Sequence, residues 1–155
     1  MREVRRSALV PYTPAQMYRL VNDVAGYPKF VPWCPVARVL EASDESVTAM
    51  LEIVRTGVRV KLTTRNTLVP DERIDMALVD GPLARFSGRW EFVPIRAAGE
   101  AAGGAGAVRG CRVELSVAFE FRNAAIGLVI GPLFESSWDS LVDAFVKRAH
   151  EVYGG

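Results

Sequence analysis

The chain has a single histidine, two cysteines, an almost balanced charge and no apolar run of membrane length, and each shortage removes a class of protein. With one histidine, and with Cys34 and Cys111 far apart and outside any CxxC spacing, no zinc set can be assembled and no metal is expected. The same cysteine usage suits a reduced, cytoplasmic setting better than a disulfide framework. Nineteen Lys and Arg against eighteen Asp and Glu give a formal charge of +1, so no global field draws the protein to nucleic acid or to an anionic membrane. Any such partner must meet a local patch.

The longest apolar stretch, Ala124 to Phe134, is about half a membrane span and is interrupted by Gly127, Gly131 and Pro132. No transmembrane segment is therefore expected, although transient contact at the inner face of the cell membrane stays open. After Arg2, Arg5 and Arg6 the apolar run Ala8-Leu9-Val10 ends at Pro11, too short for the hydrophobic part of a secretion signal.

What the chain does have is pattern. Its 155 residues fit one domain, 1–155. Residues 3 to 10 alternate and predict an opening strand. Thr13 before Pro14 is an N-cap followed by proline at the first helical position, and Met17, Leu20, Val21 and Val24 continue at helical spacing, so a helix is expected over about 14 to 24.

Gly26 stops that helix within the segment Asn22–Pro35, where Tyr27, Phe30 and Trp33 share a stretch with Pro28, Pro32 and Pro35. It reads as neither helix nor strand. Apolar aromatics in a loop imply either a plug over the body or a gate to its interior.

From Val36 to Phe121 the period changes to two and six strands fit, with turn signals at Ser43-Asp44-Glu45, Thr56-Gly57, Pro70-Asp71-Glu72 and Asp80-Gly81-Pro82. The last strand is the clearest, with Cys111, Val113, Leu115, Val117, Phe119 and Phe121 on one face. The Ala/Gly-rich insert 97–110 reads as a flexible hairpin tip. Its Gly104-Ala105-Gly106 run has Arg109 in place of the third glycine of a dinucleotide loop and strands on both flanks.

Asn123 caps a closing helix to about Tyr153, on which Ile126, Ile130, Phe134, Trp138, Leu141, Phe145, Ala149 and Val152 form an apolar stripe and Gly131-Pro132 should introduce a kink. The expected class is α+β, a curved antiparallel sheet of about seven strands wrapped around one long C-terminal helix. Such a sheet leaves a gap that side chains fill incompletely, and an apolar tunnel suited to a lipid or isoprenoid is its natural product.

Residues with reactive chemistry are few, and each has a structural explanation. His150 lies in the last turns of the closing helix beside Arg148 and Glu151, where a positive charge is welcome at the surface. Cys34, between Trp33 and Pro35, reads as a small buried filler, not a reactive thiol. Asp80 suits an Asx turn ahead of Gly81-Pro82, while Asp23 or Asn22 would tie down the helix end. No catalytic residue emerges.

Five runs, Ala8–Val24 (ALVPYTPAQMYRLVNDV), Tyr27–Cys34 (YPKFVPWC), Leu78–Pro82 (LVDGP), Gly88–Phe92 (GRWEF) and Phe119–Asn123 (FEFRN), resemble the coenzyme Q-binding START-domain family in the same order. That family lies within the polyketide cyclase-like helix-grip superfamily and includes ribosome association toxins and mitochondrial coenzyme Q-binding proteins. The chain departs from its pattern at Leu83, where phenylalanine is usual, and in the length of the insert.

The resemblance implies a helix-grip fold and a non-enzymatic protein that holds ubiquinone as a bound ligand, supporting ubiquinone biosynthesis and cellular respiration. The lining residues would be Phe30, Trp33, Met76, Phe86, Trp90, Phe119, Phe134, Trp138 and Phe145. Its alternative implication is a toxin that binds the large ribosomal subunit and blocks 70S assembly. Arg55, Arg59, Lys61 and Arg65 are the candidate contacts, joined by Arg2, Arg5 and Arg6 if the first strand neighbours the third and fourth. A cyclase-like enzyme is the third reading, and it lacks an acid/base pair.

Overall fold

The computed structural model describes residues 2–96 and 107–154. Strand β1 (Arg2–Val10) leads through α1 (Pro14–Asn22) and a 3₁₀ segment (Val24–Lys29) to β2 (Val36–Ala42), β3 (Ser46–Arg55), β4 (Val58–Val69), β5 (Arg73–Asp80), β6 (Leu83–Arg96), β7 (Val108–Phe121) and α2 (Ala124–Tyr153). The strands form one seven-stranded sheet in the order β1-β7-β6-β5-β4-β3-β2, antiparallel throughout. The α+β architecture, a sheet gripping one long C-terminal helix, is the one the sequence predicts. Most of the expected hairpin tip at 97–110, residues 97–106, lies outside the described residues.

Local chemistry explains the turns. β3 and β4 are joined by Thr56-Gly57, both at positive φ (51° and 79°), which gives the primed two-residue turn whose twist matches the strands it joins. The Ser43 hydroxyl accepts from the backbone N–H of Glu45 and Ser46 and closes the β2–β3 turn. Thr13 and Gln16 complete a reciprocal capping box on α1, and the Asn123 side chain accepts from the Ile126 N–H at 2.9 Å to start α2. α2 continues as helix through Pro132.

Two sequence expectations need correction. α1 stops at Asn22, short of 24, and the aromatic segment behind it is not wholly irregular: Val24–Lys29 winds into a 3₁₀ turn with Pro28 inside it. A short, tight turn accepts a proline that a longer α-helix would not. The second correction is topological. β1 pairs with β7 and lies on the far side of the sheet from β3 and β4, so Arg2, Arg5 and Arg6 do not join the cations of β4. Instead Arg2 pairs with Glu135 (3.4 Å), and Arg6 with Asp139 (3.4 Å) and Asp143 (3.3 Å), one turn apart along α2. Gly131 makes room for this, since a Cβ there would lie 2.6 Å from the Arg2 guanidinium.

The core lies between the concave face of the sheet and α2. Ile130, Phe134, Trp138, Leu141, Phe145 and Ala149 are buried on the helix at three- and four-residue spacing. Phe86, Trp90, Phe92, Leu115, Val117 and Phe119 face them from β6 and β7. Each such side chain removed from water contributes about 1.5–3 kcal/mol, which makes this interface the main source of stability.

Candidate functional site: an interior pocket and a groove at one end of the helix

The sheet and α2 enclose a pocket of about 20 Å³ lined by Val24, Tyr27, Ala49, Leu51, Leu62, Thr64, Asn66, Met76, Trp90, Trp138 and Leu141. It is far smaller than the apolar tunnel the curved sheet leads one to expect. The gap is filled by aromatic rings, with Phe119 4.9 Å from Phe134, Phe86 5.4 Å from Trp138, and Phe145 5.2 Å from Trp90. The remaining space is the size of one water molecule or one ligand oxygen.

The lining is apolar apart from one polar corner. The Thr64 hydroxyl donates to the Asn66 side-chain oxygen at 2.8 Å, both residues being buried, so Asn66 has its amide N–H groups left to offer. Trp138 is 2% exposed, and its indole N–H has no acceptor among the described residues. A buried donor without a partner is costly, and Trp138 is one of the residues that line the pocket.

Of the candidate ligand residues, Met76, Trp90 and Trp138 come together at this pocket. Phe86, Phe119 and Phe134 pack against one another and Trp138 as its surrounding wall. Phe145 touches Trp90 on one side and Tyr27 and Phe30 on the other. Phe30 lies on the far side of Phe145, half-buried under the Arg148 guanidinium (5.5 Å to the ring centroid). Trp33 is buried, and its indole N–H donates to the Ser140 hydroxyl at 3.1 Å.

Thr64 and Asn66 were not singled out from the sequence. The signal was present, because they continue the Val60, Leu62 alternation on the dry face of β4, where polar residues stand out.

At the other end of the helix a surface groove of about 490 Å³ is lined by Arg59, Val60, Lys61, Pro82, Ala125, Ile126, Val129 and Ile130. Of the candidate ribosome contacts, Arg59 and Lys61 line it, whereas Arg55 and Arg65 do not. Arg59, Lys61 and Arg65 are exposed at alternate positions on the convex face of β4, and Arg59 is 3.0 Å from the Glu52 carboxylate. Arg55 is half-buried and donates to the Ser136 hydroxyl at 3.3 Å.

The residues considered for chemistry are placed elsewhere. Asp23 and Asp80 are exposed, with the Asp80 carboxylate accepting from the Gly81 N–H at 3.0 Å, and neither enters the pocket. His150 is exposed, with its Nδ1 2.6 Å from the Tyr12 hydroxyl, a partner the sequence did not indicate. Cys34 is buried and its thiol donates to the Val36 carbonyl; burial, and then the Glu52 carboxylate, push it up to about 11. Among the described residues no group of three His, Cys, Asp or Glu is placed to hold a metal ion.

A bent antiparallel sheet closed on a single long helix, with an apolar interior, is a helix-grip fold. The solved structure of a START superfamily protein from Mycobacterium smegmatis superposes with a TM-score of 0.75 at 15% identity, covering 97% of this chain and 98% of that one. Residues 10–146 match the model of the polyketide cyclase / dehydrase and lipid transport family, and the chain belongs to that family. It is 40% identical over 153 residues to the ribosome association toxin RatA of Escherichia coli K12, covering 99% of this chain and 90% of that protein. It is 28% identical over 153 residues to the mitochondrial coenzyme Q-binding protein COQ10 homolog B of Xenopus laevis, covering 98% of this chain and 59% of that protein.

Proposed function

We propose that the protein is a non-enzymatic carrier that binds a polyprenyl quinone of the ubiquinone type between the sheet and α2, supporting ubiquinone synthesis and respiration. The observation that carries this reading is that Trp138, whose buried indole N–H has no partner among the described residues, lines the same pocket as Asn66. A quinone is a flat apolar ring whose only strong polar features are carbonyl acceptors. Two donors in an aromatic pocket complement it without needing a counter-charge. The name of the Xenopus relative supports the same ligand.

With only about 20 Å³ of free space, the ring and tail can enter only if the aromatic wall gives way. Tail burial must therefore outweigh the internal contacts it replaces. Several hundred square ångströms of isoprenoid at about 25 cal/mol per Å² leave room for that exchange.

Extraction and mass spectrometry of the protein purified from its own host test the reading, and a protein free of quinone would overturn it. Trp138→Phe keeps the ring and removes the N–H. Quinone retention about tenfold lower, with the melting temperature little changed, is expected from the loss of one buried hydrogen bond. Full retention would remove Trp138 from the site.

A second reading, association with the large ribosomal subunit, is favoured by the 40% identity to a ribosome association toxin and by the cationic row Arg59, Lys61 and Arg65 on one strand face. Phosphate contacts by that row would make binding salt-sensitive. Co-sedimentation with large subunits that disappears on reversing Arg59, Lys61 and Arg65 together would support it, and unchanged sedimentation would exclude this face.

A further inference from the structure

The first three turns of α2 lack the polar outer face that a surface helix normally carries. From Ala124 to Phe134 there is no charged residue; Gly127, Ile130 and Phe134 are buried, yet Leu128 and Val129 stand 80% and 66% exposed. From Glu135 onward the outer face is ordinary, with Glu135, Asp139 and Asp143 paired to Arg2 and Arg6. Val152, 47% exposed, is the other large apolar side chain left open on α2; the two most exposed, Leu128 and Val129, sit together at this end, beside the groove of about 490 Å³.

That groove exists because the sheet parts there. β5 ends at Asp80, opposite Thr63, so β4 has no β5 partner over Val58–Leu62, and the first turns of α2 cover the gap. The rim is cationic. Arg59 and Lys61 line it from β4, and Arg122 donates to the Gly81 carbonyl at 2.9 Å next to Pro82. Of the acids on the neighbouring strands, Glu52 is engaged by Arg59 and Asp80 ends β5.

We propose that this end of the protein docks on a bilayer containing anionic lipid, with Leu128 and Val129 entering the boundary between headgroups and acyl chains, and Arg59, Lys61 and Arg122 lying against headgroup phosphates. Nucleic acid would be served by the cations but has little use for exposed Leu and Val. A second copy of the chain, joined by a two-fold axis through the same patch, would bring its cationic rim against this one.

The place in the fold adds a reason. Val60 lines the groove, and Leu62, the next residue on the same face of β4, lines the interior pocket, so the groove is the side of the pocket nearest the bilayer. This last link rests on the quinone reading, whereas docking does not.

Flotation of the full chain with quinone-free vesicles is the test. Vesicles of phosphatidylglycerol and phosphatidylethanolamine should carry the protein at low salt, and vesicles of phosphatidylcholine alone should carry much less. Leu128→Gln with Val129→Gln should weaken binding about tenfold without lowering the melting temperature, and Lys61→Glu by several-fold. Arg65→Glu, on the same strand face but beyond the groove, should leave binding unchanged.

Wild-type protein that stays at the bottom of the gradient overturns docking, as does double-variant binding equal to wild type. A loss on Arg65→Glu as large as on Lys61→Glu would reduce the effect to general adhesion and overturn it too. So would a dimer in sedimentation velocity that the double variant splits in the absence of any vesicle binding. Because the vesicles hold no quinone, a protein that floats yet carries no quinone from its host would retain docking and lose only the carrier reading.

Discussion

At the Phe145 end of α2 the chain lays an aromatic segment across the helix, whereas at the Ile126 end, about 28 Å away along the axis, it leaves apolar side chains facing water. Both ends are rich in large apolar groups, so composition alone does not separate them. Hydrogen bonding does. Tyr27 donates its hydroxyl to the Val21 carbonyl and Trp33 its indole N–H to Ser140, so each ring is fixed at both its apolar body and its polar tip. Among the described residues nothing of that kind covers Leu128 and Val129, which stay 80% and 66% exposed. The contrast favours a plug at the first end and puts the proposed bilayer contact at the second.

The largest effect that would break this contrast is predicted for Trp33→Ala, which removes a buried ring and leaves Ser140 without its donor. A loss of about 3–5 kcal/mol in chemical unfolding is expected, with quinone retention falling in parallel. Retention lost at full stability would instead make the aromatic segment the gate.

A second signature of the sealed end is alkaline. The Cys34 thiol stays protonated to about pH 11 in the folded protein but ionises near its ordinary 9 when unfolded. Its contribution is therefore complete below pH 9 and lost as pH rises to 11, about 1–2 kcal/mol after allowing for partial solvent screening. Cys34→Ala should make the fall in stability between those values shallower, leaving the part that belongs to Cys111, which burial also pushes up to about 11.

Tyr27→Phe removes one buried hydrogen bond and should cost about 1–2 kcal/mol by the same unfolding measurement. Smallest of all is the effect at the opposite end, where Leu128→Gln is expected to change stability by less than about 0.5 kcal/mol while weakening vesicle binding. Strong destabilisation there would mean that Leu128 is core, and the contrast between the ends would fail.

Much of this arrangement was legible from residue order. Alternation in Cys111–Phe121 marks its inner face because a half-buried strand has period two, and Thr56-Gly57 marks a hairpin because few residues tolerate its backbone. Asn123 marks the start of α2 for a similarly local reason. The rest depends on contacts between distant parts of the chain. Nothing near Arg2 or Arg6 announces Glu135 or Asp143 as partners, since those pairs follow from β1 joining β7.

The pocket was harder still. That Met76, Trp90 and Trp138 line it while Phe86 and Phe119 wall it depends on where each ring turns, which spacing does not specify. Thr64 and Asn66 were readable in principle, but only by carrying the β4 alternation past the charged residues that draw the eye.

The pairing of β1 with β7 also sets the order in which the molecule can be assembled. β2 to β6 can form as successive hairpins from neighbouring sequence, but β1 must wait, with Val4 and Val10 uncovered, until residues 111–119 are available to pair with it. Until then the exposed margin of β6 is a ready template for a strand from another chain. Closure between the chain's distant halves is therefore the slow event in folding, and newly synthesised protein is most exposed to aggregation just before it.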